Sequence, residues 1–310
     1  MKTAILIPCY NEEKTIKKVI EDFKKEMPHS TIYVYDNNST DETSKIASES
    51  GAIVRKEFKQ GKGNVVRSMF RDIDADCYIM VDGDDTYPAK FGPVLEKLVL
   101  DGKADMAVGD RLSSTYFTEN KRKFHNFGNV IVRKLINLIF NSNMKDIMTG
   151  ARAFSRDFVK SFPVISKGFE IETEMTIFAL DHNFKIVEKP IDYKDRPKGS
   201  ESKLNTYSDG MKVLFTIFRL FRDCKPFMFF GITTLMFLII SACLFIPVLI
   251  CFVKTGLVPN FPTLFVSIGF AILGVMNFFC GVILSVLRKE HKHIFERDLT
   301  ILRYITKYKD

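Results

Sequence analysis

Six cysteines are spread through 310 residues, and no two of them stand at a metal-binding spacing. Cys9, Cys77, Cys224, Cys243, Cys251 and Cys280 are therefore expected to be reduced structural thiols, with no disulfide framework. The N-terminus lacks the apolar core of a signal peptide, because Ala4–Pro8 is short and acidic residues follow at once. The first part of the chain is expected to stay where it is made. No G-x-G-x-x-G follows the first apolar run, which speaks against a dinucleotide dehydrogenase. Charge is missing altogether from two stretches, Phe227–Val253 and Phe261–Leu287, each longer than the ~20 residues that cross a bilayer.

What surrounds those stretches gives them a direction. Arg219, Arg222 and Lys225 precede the first, Arg288, Lys289, Lys292 and Arg297 follow the second, and the connecting loop holds only Lys254. The positive-inside rule then predicts a multi-pass protein of the cell membrane with both termini cytoplasmic. A net charge of +8 raises the question of nucleic acid, but the basic residues gather beside the apolar stretches. Anionic lipid is the simpler partner, and no nucleic acid is expected.

Met1–Lys225 reads differently, as alternating strands and helices. Apolar runs at Ala4–Ile7, Thr31–Tyr35, Ile53–Arg55, Cys77–Val81 and Asp105–Val108 predict strands. Helices are predicted between them over Glu12–Met27, Asp41–Ser50, Lys62–Ile73 and Pro88–Leu100. The economical architecture is α/β, a mostly parallel sheet covered by helices, with ligands beyond the carboxyl ends of the strands. Three polar clusters fall at those ends: Tyr10-Asn11-Glu12, Asp36-Asn37-Asn38 and Asp82-Gly83-Asp84-Asp85. Further on, Phe124–Asn143 and Tyr207–Phe221 are amphipathic. Each can face a core or lie in a membrane interface.

The cluster "VDGDDTYP" ends an apolar strand, so Asp82 and Asp84 project from one strand end. Paired hard oxygen ligands suit Mg²⁺ or Mn²⁺, which leaves its remaining positions to phosphate oxygens. Such an ion stabilises a departing diphosphate.

The segments "IPCYNEEKTI", "YDNNSTDET", "QGKGNVVRSMF" and "MVDGDDTYP", in that order, resemble the family 2 glycosyltransferases with a GT-A fold. "KDIMTGARAFSR", "GFEIETEM" and "YKDRPKGSESKLNTYSDG" look like the branch that glycosylates polyprenyl phosphates, which includes dolichol-phosphate mannose synthases and bacterial undecaprenyl-phosphate glucosyltransferases. The resemblance implies that Pro8, Tyr10, Asn11 and Glu12 hold a nucleotide, that Asp36 faces its base and that Lys62 lies near it. Asp82 and Asp84 match the nucleotide and metal carboxylates, whereas Thr86 stands where relatives commonly have glutamine, and Asn37 replaces a frequent second acid. Asp146 matches a residue near the reacting centre, as a base or as an orienting group. Arg196 and Lys203 match the segment that folds over the donor phosphates, and Arg111, Arg122 and Arg152 are candidates for the acceptor phosphate. Glu170, Glu172 and Glu174 suit the start of a helix, where acids are favourable.

These implications organise the chain as a catalytic domain over 1–205, an amphipathic juxtamembrane helix over 206–226, a transmembrane hairpin over 227–287 and a basic tail over 288–310. The expected reaction is inverting transfer of a hexose, glucose first, from a UDP-sugar to undecaprenyl or another polyprenyl phosphate, giving a lipid-linked donor for cell-envelope glycans. N-acetylglucosamine or mannose, the latter from a GDP donor, is the alternative. A processive polysaccharide synthase is disfavoured because its Q-x-x-R-W segment needs a tryptophan, and the chain has none. A non-catalytic nucleotide-binding membrane adaptor is the reading from another class. A homo-oligomer is left open.

Overall fold

The computed structural model describes residues 1–113, 123–194 and 206–307, with side chains omitted at 123–129, 206–210, 212 and 307. Among the described residues seven strands make one sheet: β1 Thr3–Cys9, β2 Thr31–Asp36, β3 Ile53–Lys56, β4 Cys77–Met80, β5 Met106–Asp110, β6 Arg152–Ser155 and β7 Ile186–Pro190. Their order is β3-β2-β1-β4-β6-β5-β7. Only β6 runs antiparallel to its neighbours. The four expected crossover helices are present as α1 Ile16–Glu26, α2 Thr43–Glu49, α3 Lys62–Asp72 and α4 Gly92–Leu100. Each returns the chain to the same edge, which keeps β1 to β4 parallel.

Both faces of the sheet are covered, and β1 and β4 are correspondingly buried along nearly their whole length. On one face Ile5, Ile7, Cys77 and Ile79 meet the buried stripe Ile16, Val19, Ile20 and Phe23 of α1. Phe23 closes that layer edge-on to Phe91, with ring centroids 5.8 Å apart. On the other face Tyr78 alternates outward from the same strand and packs on Phe70, which in turn meets Phe154 and Phe162. Truncating one of these buried rings to alanine typically costs about 3–5 kcal/mol.

Further helices are α5 Lys123–Phe140, α6 Arg156–Ser161, α7 Ile171–Asp181, α8 Thr206–Cys224, α9 Pro226–Thr255 and α10 Phe261–Lys307. Val132 and Ile136 of α5 are buried, so that helix does contribute to a core. On α8 the stripe expected from Tyr207–Phe221 leaves Met211, Leu214 and Phe218 exposed. Val213 and Ile217 of the same helix are buried, so it is a different side of α8 that faces the core.

The chain divides into two units, Met1–Ile217 and Phe218–Asp310. In the second, α9 opens with Pro226 in its first turn and closes on Gly256, whose φ of 68° is the left-handed cap that glycine tolerates. Both α9 and α10 are long and apolar enough to cross a membrane. They approach closely where Gly281 faces Phe230 and Gly274 faces Leu238. Polar side chains bridge them too: Asn277 Nδ2 donates to Thr233 Oγ1 (2.6 Å), and Ser241 Oγ donates to the Ser267 carbonyl (2.7 Å). Small residues and interhelical hydrogen bonds are the means by which helices associate without a hydrophobic drive. Beyond Leu287 the basic segment continues as part of α10 without a break.

Candidate active site

A cleft of about 580 Å³ opens at the carboxyl ends of β1 and β4, lined among others by Pro8, Tyr10, Glu12, Lys62, Asp82 and Asp84. The chain leaves these strand ends sharply. Asn11, Asn38 and Asp85 take φ values of 53°, 62° and 57°, a region that short polar side chains tolerate. Asn11 uses its amide within the protein, accepting from Thr40 N at 2.8 Å, while its own N–H donates to Ser39 Oγ at 2.9 Å. The Asp36 carboxylate is taken up in the same loop, with Oδ1 accepting from Ser39 N (3.1 Å) and Oδ2 from Ser44 Oγ (3.0 Å). Asn37 reaches beyond this loop. Its Oδ1 accepts from Gly61 N at 2.7 Å, tying the β2 end to the start of α3.

That start is where the sequence places two glycines around a lysine. Gly61 has φ 125°, and a Cβ on Gly61 or Gly63 would collide with the carbonyl oxygens of Lys167 and Ser166. Without side chains there, Gly63 N reaches the Lys167 carbonyl at 3.0 Å, and Lys62 between the glycines lines the site. Its Nζ donates to Asp82 Oδ1 at 2.5 Å and to Glu172 Oε1 at 2.6 Å. Burial by itself would pull the Lys62 ammonium down, but Asp82 and Glu172 more than reverse this and raise it above the ordinary lysine value. Glu172 is pushed up by its own burial, with Lys62 opposing. From its motif Glu172 reads as an acid at a helix start, with sugar binding as the lesser alternative. Its partner Lys62 lies 110 positions earlier, and no local pattern reveals such a pair.

Asp84 is buried, and its Oδ1 accepts from Thr86 Oγ1 (2.6 Å) and Thr86 N (3.2 Å). Thr86, the residue that departs from the family's glutamine, thus orients this carboxylate. Thr15 Oγ1 donates to the Gly83 carbonyl at 2.7 Å and secures the turn between the two aspartates. On the other side a Cβ at Gly150 would strike the Asp82 carboxylate. Nearby, the Cys9 thiol is pushed well up by burial and then by Glu12, Asp36, Asp82 and Asp84. The donor set fits a hard divalent cation, since the carboxylates of Asp82 and Asp84 line one cleft. Among the described residues no group of three His, Cys, Asp or Glu side chains is assembled for a metal.

Asp146 stands in a second cluster. It is 1% exposed, and Arg111 embraces it, with Nε to Oδ2 at 2.8 Å and Nη2 to Oδ1 at 3.0 Å. The Asp146 and Lys145 amides donate in turn to Glu188. Arg111 Nη1 also donates to Tyr87 Oη at 3.3 Å, and Tyr87 Oη accepts from Gly150 N at 3.0 Å. Tyr87 and Gly150, which the motifs did not single out, therefore connect this cluster to Asp82. Both oxygens of Asp146 are thus engaged by one guanidinium.

One expected acceptor ligand needs correction. Arg152 is fully buried, with Nε donating to the Thr149 carbonyl (3.0 Å), Nη2 to the Ile147 carbonyl (2.6 Å) and Nη1 to Thr176 Oγ1 (2.9 Å). Burial lowers its pKa, and a group so enclosed and committed is a scaffold residue with no face for a lipid phosphate. Arg122, Arg196 and Lys203 lie outside the described residues.

A mostly parallel sheet with helices on both faces, carrying an acid pair and a glycine-flanked lysine at its carboxyl edge, is the GT-A architecture. The chain belongs to glycosyl transferase family 2, whose sequence pattern matches residues 4–162. It is 55% identical to protein RfbJ of Shigella flexneri over 35% of this chain and 84% of that protein. It is 28% identical to the dolichyl-phosphate hexose transferase of Haloferax volcanii, over 68% of this chain and 90% of that one. Among solved structures, glucosyl-3-phosphoglycerate synthase from Mycobacterium tuberculosis, in complex with Mn²⁺, uridine diphosphate and phosphoglyceric acid, superposes with a TM-score of 0.61. That match covers 71% of this chain and 78% of the other at 19% identity, a likeness of fold.

Proposed function

We propose that this glycosyltransferase moves a hexose, glucose before others, from a UDP-sugar to undecaprenyl or another polyprenyl phosphate, with inversion at the anomeric carbon. One observation carries the reading: a buried lysine and two carboxylates converge in a single cleft at the strand edge. Support for the acceptor comes from the dolichyl-phosphate hexose transferase relative and from the two apolar helices. The relative of known structure binds Mn²⁺ and uridine diphosphate, which favours a uridine donor here.

Asp84, with Asp82, would hold a Mg²⁺ or Mn²⁺ ion, which when bound neutralises charge developing on the leaving diphosphate. Lys62 supplies a further cation at the same phosphates. The lipid phosphate has a second pKa near ~6 and is already a nucleophilic dianion at neutral pH. A strong base is therefore unnecessary, and Asp146 serves by fixing Arg111. Arg122, Arg196 and Lys203 remain the proposed cations for the phosphates of donor and acceptor, whereas Arg111 is committed to Asp146. The hairpin over 227–287 would sit in the cell membrane with both termini cytoplasmic, and 206–226 along its interface. Catalysis then rests on positioning and electrostatics.

The test is incubation of membranes containing the protein with undecaprenyl phosphate and radiolabelled UDP-glucose, UDP-galactose, UDP-N-acetylglucosamine or GDP-mannose, followed by lipid extraction. Label from UDP-glucose in the lipid fraction is the expected result. Label from another donor alone would replace the sugar, and no lipid label from any donor would overturn the reaction.

A further inference from the structure

The three acids at the start of α7 do different things. Glu170 Oε1 accepts from Lys167 N (3.2 Å) and Gly168 N (3.1 Å), and Glu174 accepts from Ile165 N (3.0 Å) and Ser166 N (2.8 Å). These two fold the 165–168 segment that the α3 glycines press against. Glu172 turns instead to Lys62. Lys62 and Glu172 keep side-chain exposures of only 8% and 9%, whereas Asp82 keeps 26% and faces the cleft.

One ammonium thus serves two carboxylates, and the arrangement retains a negative charge beside Asp84. An ammonium hydrogen-bonded to Asp82 repels any second cation that approaches that carboxylate. An entering diphosphate changes this, because its oxygens offer Lys62 a replacement for Asp82 while Glu172 keeps the other side of the ammonium. We propose that Lys62 is a placeholder for the divalent cation, positioned on Asp82 by Glu172 and released by the donor's diphosphate, so that metal and nucleotide bind as a coupled pair. This rests on the reading of Asp82 and Asp84 as the carboxylates that hold the metal.

The experiment is Mn²⁺ binding to the purified full-length chain in detergent, read from the electron paramagnetic resonance signal of free Mn²⁺, with and without UDP. In the unaltered protein UDP is expected to tighten Mn²⁺ by at least about tenfold. Lys62→Gln, which keeps a hydrogen-bond donor, should tighten Mn²⁺ without UDP by at least about tenfold and shrink the effect of UDP. Lys62→Arg should retain the parental pattern. If Lys62→Gln binds Mn²⁺ alone no better than the parent, while the parent still binds it with UDP, the placeholder is wrong and the metal site stands. If the parent binds no Mn²⁺ even with UDP, the metal site is wrong and the placeholder falls with it. Should the glutamine variant not fold, the parent decides by itself: Mn²⁺ affinities within about threefold with and without UDP would contradict the coupling.

Discussion

Two clusters of acids and cations lie close together on this sheet, and their difference separates machinery from scaffold. Around Asp82 one lysine serves two carboxylates at the wall of a cleft, so negative charge is left over. Around Asp146 the guanidinium of Arg111 matches the carboxylate atom for atom, and the carboxylate itself is buried. Surplus charge beside open space can take a ligand, whereas satisfied charge fixes geometry. Sequence motifs mark both clusters equally.

The sharpest way to break this comparison is Asp84→Asn. It should reduce transfer by at least about a hundredfold while the unfolding temperature in detergent stays close to the parent's. A variant that transfers at the parental rate would remove Asp84 from the metal site. Arg111→Ala should act the other way round, costing about 3–5 kcal/mol of stability because it strands Asp146 in the interior. Thermal unfolding measures this, and an unchanged midpoint would mean that the pair is not structural. Gly150→Ala probes the link between the clusters by pushing a methyl group against Asp82. Loss of about tenfold in kcat/KM is expected. Gly231→Ala, whose added Cβ meets open space, should leave the rate unchanged.

The smallest effect concerns Cys9. A raised pKa means less thiolate at any pH below it, so iodoacetamide at pH 8 should label native Cys9 at least about tenfold more slowly than the denatured chain. Peptide mass spectrometry reads this. Equal rates in both states would show that burial, with the acids beside it, does not hold the thiol protonated there.

Much of this was legible in the residues. The apolar runs of β1, β2 and β4, each ending in acid or amide, gave the parallel sheet and the edge that carries the cleft, because strands buried on both faces leave a continuous signal. β6 and β7 were not visible. Four residues beginning with Arg152 do not read as a strand until Thr149, Ile147 and Thr176 are seen to absorb the guanidinium. β7 is half exposed and ends in Glu188, Lys189 and Pro190, so it lacks apolar alternation. The site divides in the same way. Asp82, Asp84 and Lys62 could be named from their motifs, since each follows a strand or opens a helix. Glu172, Tyr87 and Gly150 could not, because their roles arise from pairings between distant segments.

The most direct measurement is a structure of the full chain with UDP and Mn²⁺. The diphosphate is expected between Lys62 and Asp84, with the metal on Asp84 and Lys62 drawn off Asp82, while the pairing of Arg111 with Asp146 stays as it is. A diphosphate held by Arg111 at the second cluster, with Lys62 still on Asp82, would contradict the account.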